Sequence, residues 1–316
     1  MGLFGRRRRG EDADDAGDSG DRDPAVPFLT RADAAEVRRL AQRAFAEAGV
    51  DVVIHADRFE ATDGRAFGLW NLAATCRNAE RGRREWPDIV ARHVRALLAP
   101  TPSPDALSAE EILARTVVRV YGADSVPVHT GWFSYVRPIA DDLLEALVLD
   151  LPESVLMLRD QDVERVGIEA LRHAGLERLL REPVDAIESV RAARGATFQV
   201  VLGDSVYTAS RILAMRDLLI RVYGEREYPD GVLVAVAHRH QVALHPLDGP
   251  GAVDAINAMV AFAKAGFDEG AGGVSPNLYW WHDGALTRLS RVDDDGSIAV
   301  EVGPDLAGVL SRLTGG

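Results

Sequence analysis

The stretch FQVVLGDSVYTASRILAMRDLLIRVYGEREYPDGVLVAVAHRHQVALHPL, residues 198–247, decides the fold. Phe198 to Leu202 is a short apolar run that ends at Gly203-Asp204-Ser205, the pattern of a buried strand closed by a turn. From Val206 to Val222, apolar residues (Ala209, Ile212, Leu213, Met215, Leu218, Leu219 and Ile220 among them) cover most of the circumference at a helical period. A helix with so narrow a polar stripe belongs inside other elements. Ser210, Asp217 and Arg221 share that stripe, and Asp217 and Arg221 stand four apart, the spacing of an along-helix pair. After a turn at Pro229-Asp230-Gly231 comes Gly231-Val-Leu-Val-Ala-Val-Ala237. It does not alternate, so both its faces are expected to be covered and its place is central in a sheet. His238 to Gln241 then reads as the exposed tip of a hairpin that returns along Val242 to Leu247.

Working outward, Arg31 to Ala48 has a helical period ended by Gly49, three short strands follow to Trp70 with a turn at Asp63-Gly64, and helices are predicted over 71–78 and 87–98. Pro100, Pro102 and Pro104 make a rigid break. A short helix at 109–114 precedes a strand at 116–121, Leu143 to Leu149 suits helix or strand, and Asp160 to Leu180 reads as one helix. Beyond the central stretch, a one-sided helix starts at Val253 and is expected to be capped by Gly266. A hairpin turns at Asp283-Gly284, a strand covers 298–302, and a last helix covers 306–313. Helices mixed with two-residue turns favour an α+β fold with largely antiparallel sheets and packed helices. The expected division is a charged, disordered tail over residues 1–26, an N-terminal α+β domain over 27–130 and a C-terminal one over 131–316.

Composition narrows the function classes. The chain has 316 residues, 47% hydrophobic, and a formal net charge of −13, which disfavours a nucleic-acid partner because phosphate binding needs a basic surface. Lys264 is the single lysine; an arginine-for-lysine bias with abundant alanine is the mark of a GC-rich bacterial coding sequence. Cys76 stands alone, so neither an intrachain disulfide nor a cysteine-rich zinc site is available, in keeping with a cytoplasmic protein. No run reaches the roughly 18 apolar residues that span a bilayer. Arg6 to Arg9 with Phe4 could touch an anionic membrane surface, but the acidic run from Glu11 to Asp23 largely cancels that charge.

Several segments resemble the YtpQ-like family of uncharacterised bacterial proteins: Phe67-Gly-Leu-Trp-Asn-Leu72 with the Trp86 to Leu98 helix, Arg137-Pro138-Ile139 with Leu149-Asp150, Asp162-Val163 through Gly167-Ile168, Tyr207-Thr-Ala-Ser210 and Asp230-Gly-Val-Leu-Val-Ala-Val236. The likeness spans residues 33 to 291. Relatives carry a Pro and an Arg-Asp turn after the apolar strand where this chain has Ala237 and His238-Arg239-His240. The resemblance implies a soluble protein and no particular reaction.

The residues offer four candidate chemistries. Gly203-Asp204-Ser205 between a strand and a helix is the setting in which GDS-type esterases expose a nucleophile, here Ser205, yet the later Asp-x-x-His and Gly-x-Asn-Asp blocks are missing and helix capping explains the triplet. His238 and His240, two apart on a strand, point the same way, a spacing metal sites use. Trp280 and His282, with Ser210, are candidate ligand-binding residues, since aromatics beside a hairpin often form recognition surfaces. Asp293 to Asp295 lacks the spacing of a calcium loop and reads as a solvated turn. No cofactor is called for: His-Glu-x-x-His, Cys-x-x-Cys, Gly-x-Gly-x-x-Gly and Gly-Lys-Ser/Thr strings are all missing from the sequence. The expected function is a non-enzymatic binding or adaptor module with a protein or small-molecule partner; the alternative is a hydrolase, through Ser205 or through metal at His238 and His240.

Overall fold

The computed structural model describes residues 22–62, 65–99, 104–151, 154–192, 195–293 and 296–315. The arginines at 6–9, the Asp63-Gly64 turn, Pro100, Pro102 and Asp294-Asp295 lie outside them. The fold is α+β, with antiparallel sheets, and the chain forms two compact units: Met1–Thr101 with Glu269–Ala271, and Pro102–Asp268 with Gly272–Gly316. The boundary therefore falls well before residue 130. A cut at 130 and 131 would separate two strands, Thr116–Gly122 and Leu143–Leu151, that pair in register along seven residues.

The first unit comprises α1 (Arg31–Glu47), the meander β1 (Val52–Ile54), β2 (Arg58–Ala61) and β3 (Ala66–Gly68), then α2 (Trp70–Arg77) and α3 (Trp86–Leu98). Thr30 caps α1 by accepting the Asp33 N–H at 3.1 Å. Ala34, Val37, Ala41 and Phe45 bury one stripe of that helix, and Phe45 meets Phe59 and Phe67 at ring-centre distances of 5.6 and 5.1 Å. Residues 22–26, expected within the disordered tail, are ordered, and the rest of that expected tail lies outside the described residues. Asp23 accepts two bonds from Arg38, at 2.8 and 2.9 Å, and Val26 is wholly buried, so this stretch has both the polar partner and the apolar burial that ordering requires. Cys76 is buried too, and burial pushes its thiol pKa up to about 12, leaving it a small apolar residue without thiolate reactivity.

The second unit runs α4 (Ala109–Arg115), β4 (Thr116–Gly122), β5 (Arg137–Ala140), β6 (Leu143–Leu151), β7 (Ser154–Met157), α5 (Asp160–Val166), α6 (Ile168–Arg181), β8 (Ala186–Arg191), β9 (Thr197–Leu202), α7 (Met215–Tyr223), β10 (Val232–Ala235), β11 (Gln241–Pro246), α8 (Ala252–Glu269), β12 (Leu278–His282), β13 (Ala285–Arg288), β14 (Ser290–Val292), β15 (Ile298–Val300) and α9 (Pro304–Thr314). The segment expected as one helix over 160–180 is two, because Gly167 takes φ 101° between α5 and α6.

The six-stranded sheet has the order β13-β12-β10-β11-β9-β8. β10 is central, and its four residues are all buried. Leu233 and Ala235 pack with α8 and α9, through Ile256, Met259 and Leu306, while Val232 and Val234 pack with Ile212, Met215 and Leu218 on the opposite face. Two-sided burial is why this strand is apolar without alternating. A smaller sheet carries β4 against β6, with β5 and β7 also on β6, and α6 lies so close to β4 that a Cβ on Gly175 would stand 2.9 Å from the Val118 nitrogen.

Two expected features of the central stretch take another form. The long apolar helix is a 3-10 segment over Thr208–Ala214 followed by α7, and Ile220 is 44% exposed, so the segment is not enclosed on every side. The break has a local cause: the Ala209 N–H goes to the Arg239 carbonyl at 3.0 Å, away from the helix ladder, and Ala214 sits at φ −126°, ψ 51°. Asp217 faces Arg211, 4.0 Å away, in place of Arg221. Gly266 does not end α8. It lies within the helix, where an added Cβ would come 2.7 Å from Gln241 Nε2 and 2.9 Å from Ala237 Cβ, so glycine here permits close packing.

Candidate functional site

The residues after β10 form a closed turn. The Arg239 N–H donates to Gly272 O at 3.0 Å, the Val274 N–H to Ala237 O at 2.9 Å, the Gly203 N–H to His240 O at 3.1 Å, and the Ala209 N–H to Arg239 O at 3.0 Å. His238, Arg239 and His240 are consequently half-buried and Gln241 is buried. The expected exposed hairpin tip is thus corrected: the 203–209 turn and the 272–274 strip cover it, and the loss of apolar residues marks a polar interior where solvent was expected.

Both imidazoles are committed within this turn. Arg239 Nε donates to His240 Nε2 at 2.9 Å, and His240 Nδ1 donates to Gly203 O at 3.1 Å, which places the His240 proton on Nδ1. His238 Nδ1 accepts the His240 N–H at 3.3 Å. The ring centres are 6.2 Å apart, and among the described residues no group of three or more His, Cys, Asp or Glu is arranged to hold a metal ion. Burial, and after it the charges of His240 and Arg239, pushes the His238 pKa down to about 4.

A pH dependence follows from that shift. The folded pKa lies below the unfolded value near 6.5, so between the two only the unfolded chain takes up the proton. This contribution is complete above about pH 6.5 and is lost as pH falls towards about 4. Urea midpoints measured from pH 7.5 to 4.5 are expected to fall more steeply for the wild type than for His238→Gln. Parallel curves for the two would show that this imidazole titrates alike in both states.

Arg119 comes from β4, where it interrupts an apolar run. Its guanidinium lies 4.7 Å from the ring centre of Tyr121 and 5.8 Å from that of Tyr207. Arg239 faces the same place: burial and then the charge of Arg119 hold its guanidinium below its ordinary pKa, with Tyr121 acting in the opposite direction. Burial raises the Tyr121 pKa, against the pull of both arginines. Among the described residues no carboxylate comes within 4.0 Å of either guanidinium, whereas Arg137, Arg172, Arg178, Arg226 and Arg312 each have one. Arg119 with Tyr121, and Arg239 with His240, are therefore half-buried groups whose guanidiniums have no carboxylate partner among the described residues.

Ser205 and Ser210 lie in the 203–210 turn, against Arg239 and His240. The Ser205 hydroxyl donates to Glu182 Oε2 at 2.6 Å and accepts the Tyr207 N–H at 3.2 Å, so it closes a local turn and caps no helix. Its hydrogen-bond partner is a carboxylate, and the adjacent imidazole of His240 is turned to Gly203 O. Ser210 Oγ accepts the Val120 N–H at 3.0 Å, stitching the turn to β4. Trp280 and His282 stand at the other end of β10, stacked 4.5 Å apart with ring planes 9° from parallel. Trp280 Nε1 donates to Asp230 O at 3.0 Å, and His282 Nε2 lies 3.2 Å from Pro229 O, so the pair holds the 229–231 turn. The structure thus gathers Ser205, Ser210, His238 and His240 in one neighbourhood and leaves Trp280 and His282 apart.

Arg119 was readable in the sequence as the charged residue inside Val117-Val118-Arg119-Val120-Tyr121; what carried no signal was its meeting with Arg239, 120 positions on. No family model, curated protein or solved structure matches this chain. The YtpQ-like resemblance accordingly rests on the sequence segments alone. Among the described residues no helix is long and apolar enough to cross a membrane.

Proposed function

We propose that this protein is a non-enzymatic binding module of the YtpQ-like kind, acting in the cytoplasm, whose recognition centre is the Arg119–Tyr121–Arg239–His240 cluster. The observation that carries the reading is that the half-buried guanidinium groups of Arg119 and Arg239 have no carboxylate within 4.0 Å among the described residues, in a chain of net charge −13. Half-burying a guanidinium without an acid costs stability, and a site that binds an anion would offset that cost. The turn that presents Arg239 is braced by backbone bonds on both sides, so the centre is pre-organised, which lowers the ordering cost of binding.

The hydrolase alternative has less behind it. An esterase needs the Ser205 proton to pass to a base held for that purpose, whereas here the hydroxyl is paired with Glu182 in a structural turn. A panel of ester substrates with wild type and Ser205→Ala, together with metal analysis of the purified protein, tests the reading. No serine-dependent turnover and no stoichiometric metal are expected; either one would overturn it.

A further inference from the structure

We propose that the open cleft along α1 and β1 is a peptide groove, and that its occupant is the acidic run Glu11–Asp21 of this same chain. The inference is separate from the binding-module reading, because the cleft lies in the first unit and Arg119, Tyr121, Arg239 and His240 lie in the second.

After α1 the chain turns at Gly49, φ 78°, and β1 runs back along the helix until Arg38 Nε donates to Ala56 O at 3.2 Å. Arg39, Gln42, Arg43 and Ala46 from one side of α1, with residues 50–52, line a cleft of about 340 Å³ between them. β1 is the edge of its three-stranded sheet. The His55 N–H donates to Arg58 O at 2.9 Å and the Thr62 N–H to Asp51 O at 3.3 Å, so the odd-numbered residues of this strand bond β2. The N–H and C=O groups of Val52 and Ile54 therefore point outward, and they have no backbone partner among the described residues. Val53 is 59% and Ile54 36% exposed. An open, apolar edge beside a helix is a template for one more strand.

The page also names what fills it. Asp23 accepts from Arg38 at 2.8 and 2.9 Å, so the residues before Arg22 leave the fold one position from Arg39, at one end of the cleft. Residues 11–21 hold six acids and no base. Arg39 gives Nε and Nη2 to Glu36 and keeps Nη1, and Arg43 meets Glu47 only at 3.4 Å, with both side chains more than half exposed. Against the single acid Asp51, these two arginines leave the lining net positive. From Arg39 to Ala46 the helix rises about 10 Å, which about three extended residues span. The run thus has length to spare, and its attachment holds it at millimolar effective concentration, enough to fill a weak site.

The test reads amide hydrogen exchange by NMR in the full chain and in a variant lacking residues 2–21. The amides of Val52 and Ile54 are expected to exchange at least roughly tenfold faster in the variant, while those of Val53 and His55, bonded to β2, keep their rates and report an intact sheet. Replacing the six acids of residues 11–21 by Asn and Gln in the full chain should have the same effect. A synthetic peptide of residues 11–21 should bind the truncated chain, restore the slow exchange, and leave the full chain unchanged. Arg43→Gln in the truncated chain should weaken that peptide roughly twofold to fivefold, as expected for an exposed charge pair. Equal exchange at Val52 and Ile54 with and without residues 2–21 overturns the self-occupied groove, a segment of another protein being then its only remaining occupant. Faster exchange that extends equally to Val53 and His55 also overturns it, because the run would then act on the whole sheet and not on its edge. A peptide that fails to bind the truncated chain overturns the groove itself. None of these outcomes touches the ester and metal assays, so the two readings fail separately.

Discussion

Gly231→Ala is expected to destabilise the second unit by about 2–5 kcal/mol, the sum of a backbone term and a packing term. Gly231 enters β10 at φ +80°, where an L residue meets its own carbonyl, at a cost of about 1–2 kcal/mol. An added Cβ would also collide with Trp280 Nε1 and stand 2.6 Å from Trp281 O. The second contact is with backbone of the neighbouring strand, so relief requires β10 and β12 to move apart at Val232↔Trp281, the register pair beside it. Overpacking of this kind costs about 1–3 kcal/mol more, against a total stability of about 5–15 kcal/mol for an ordinary domain. The control is Gly249→Ala, where the new methyl would meet nothing within 4 Å, with an expected change within about 0.5 kcal/mol. Urea unfolding of both variants measures the difference. Equal midpoints would mean that the turn leading into the central strand yields at little cost.

The residues that made the core legible are those whose pattern depends on local geometry. Val232 to Ala237 declared a doubly covered strand because nothing polar interrupts it, and Asp283-Gly284 declared a hairpin, with φ of 49° and 80° realising the turn. What sequence reading missed depends on partners far along the chain. The 3-10 segment at Thr208–Ala214 has the composition of a helix, yet the N–H of Ala209 and the hydroxyl of Ser210 are drawn to Arg239 and Val120, and no periodicity reports such bonds. The hairpin tip failed for the opposite reason. His238-Arg239-His240 is polar and so reads as exposed, but a polar turn whose backbone and side-chain groups find partners can be enclosed. The same limitation hid the candidate site: Arg119 and Arg239 are each unremarkable in sequence, and only their juxtaposition has chemical content. Trp280 and His282 drew attention because aromatics are conspicuous, and they prove to brace the turn at Gly231.

Asp142 offers the second large effect, because one carboxylate serves three donors. It sits in the turn between β5 and β6 and accepts Ser275 Oγ at 2.8 Å, Asn277 Nδ2 at 2.8 Å and the Tyr279 hydroxyl at 2.7 Å. Ser275, Asn277 and Tyr279 are buried, so truncation leaves their donors no water to turn to. Tyr279 retains a bond to Ser275 Oγ at 2.6 Å, so its loss is partial, whereas Asn277 already has an unpartnered carbonyl oxygen and would lose its amide partner as well. At about 1–3 kcal/mol for each buried donor stranded, Asp142→Ala is expected to cost about 3–5 kcal/mol. Tyr279→Phe removes one donor together with its desolvation cost, and about 1 kcal/mol is expected. The two changes share a network, so in a double-mutant cycle the combined loss should fall short of the sum. Urea unfolding of both single variants and the double variant measures this coupling. A loss below about 1 kcal/mol for Asp142→Ala would show that the turn docks through backbone and apolar contacts alone, with the carboxylate idle.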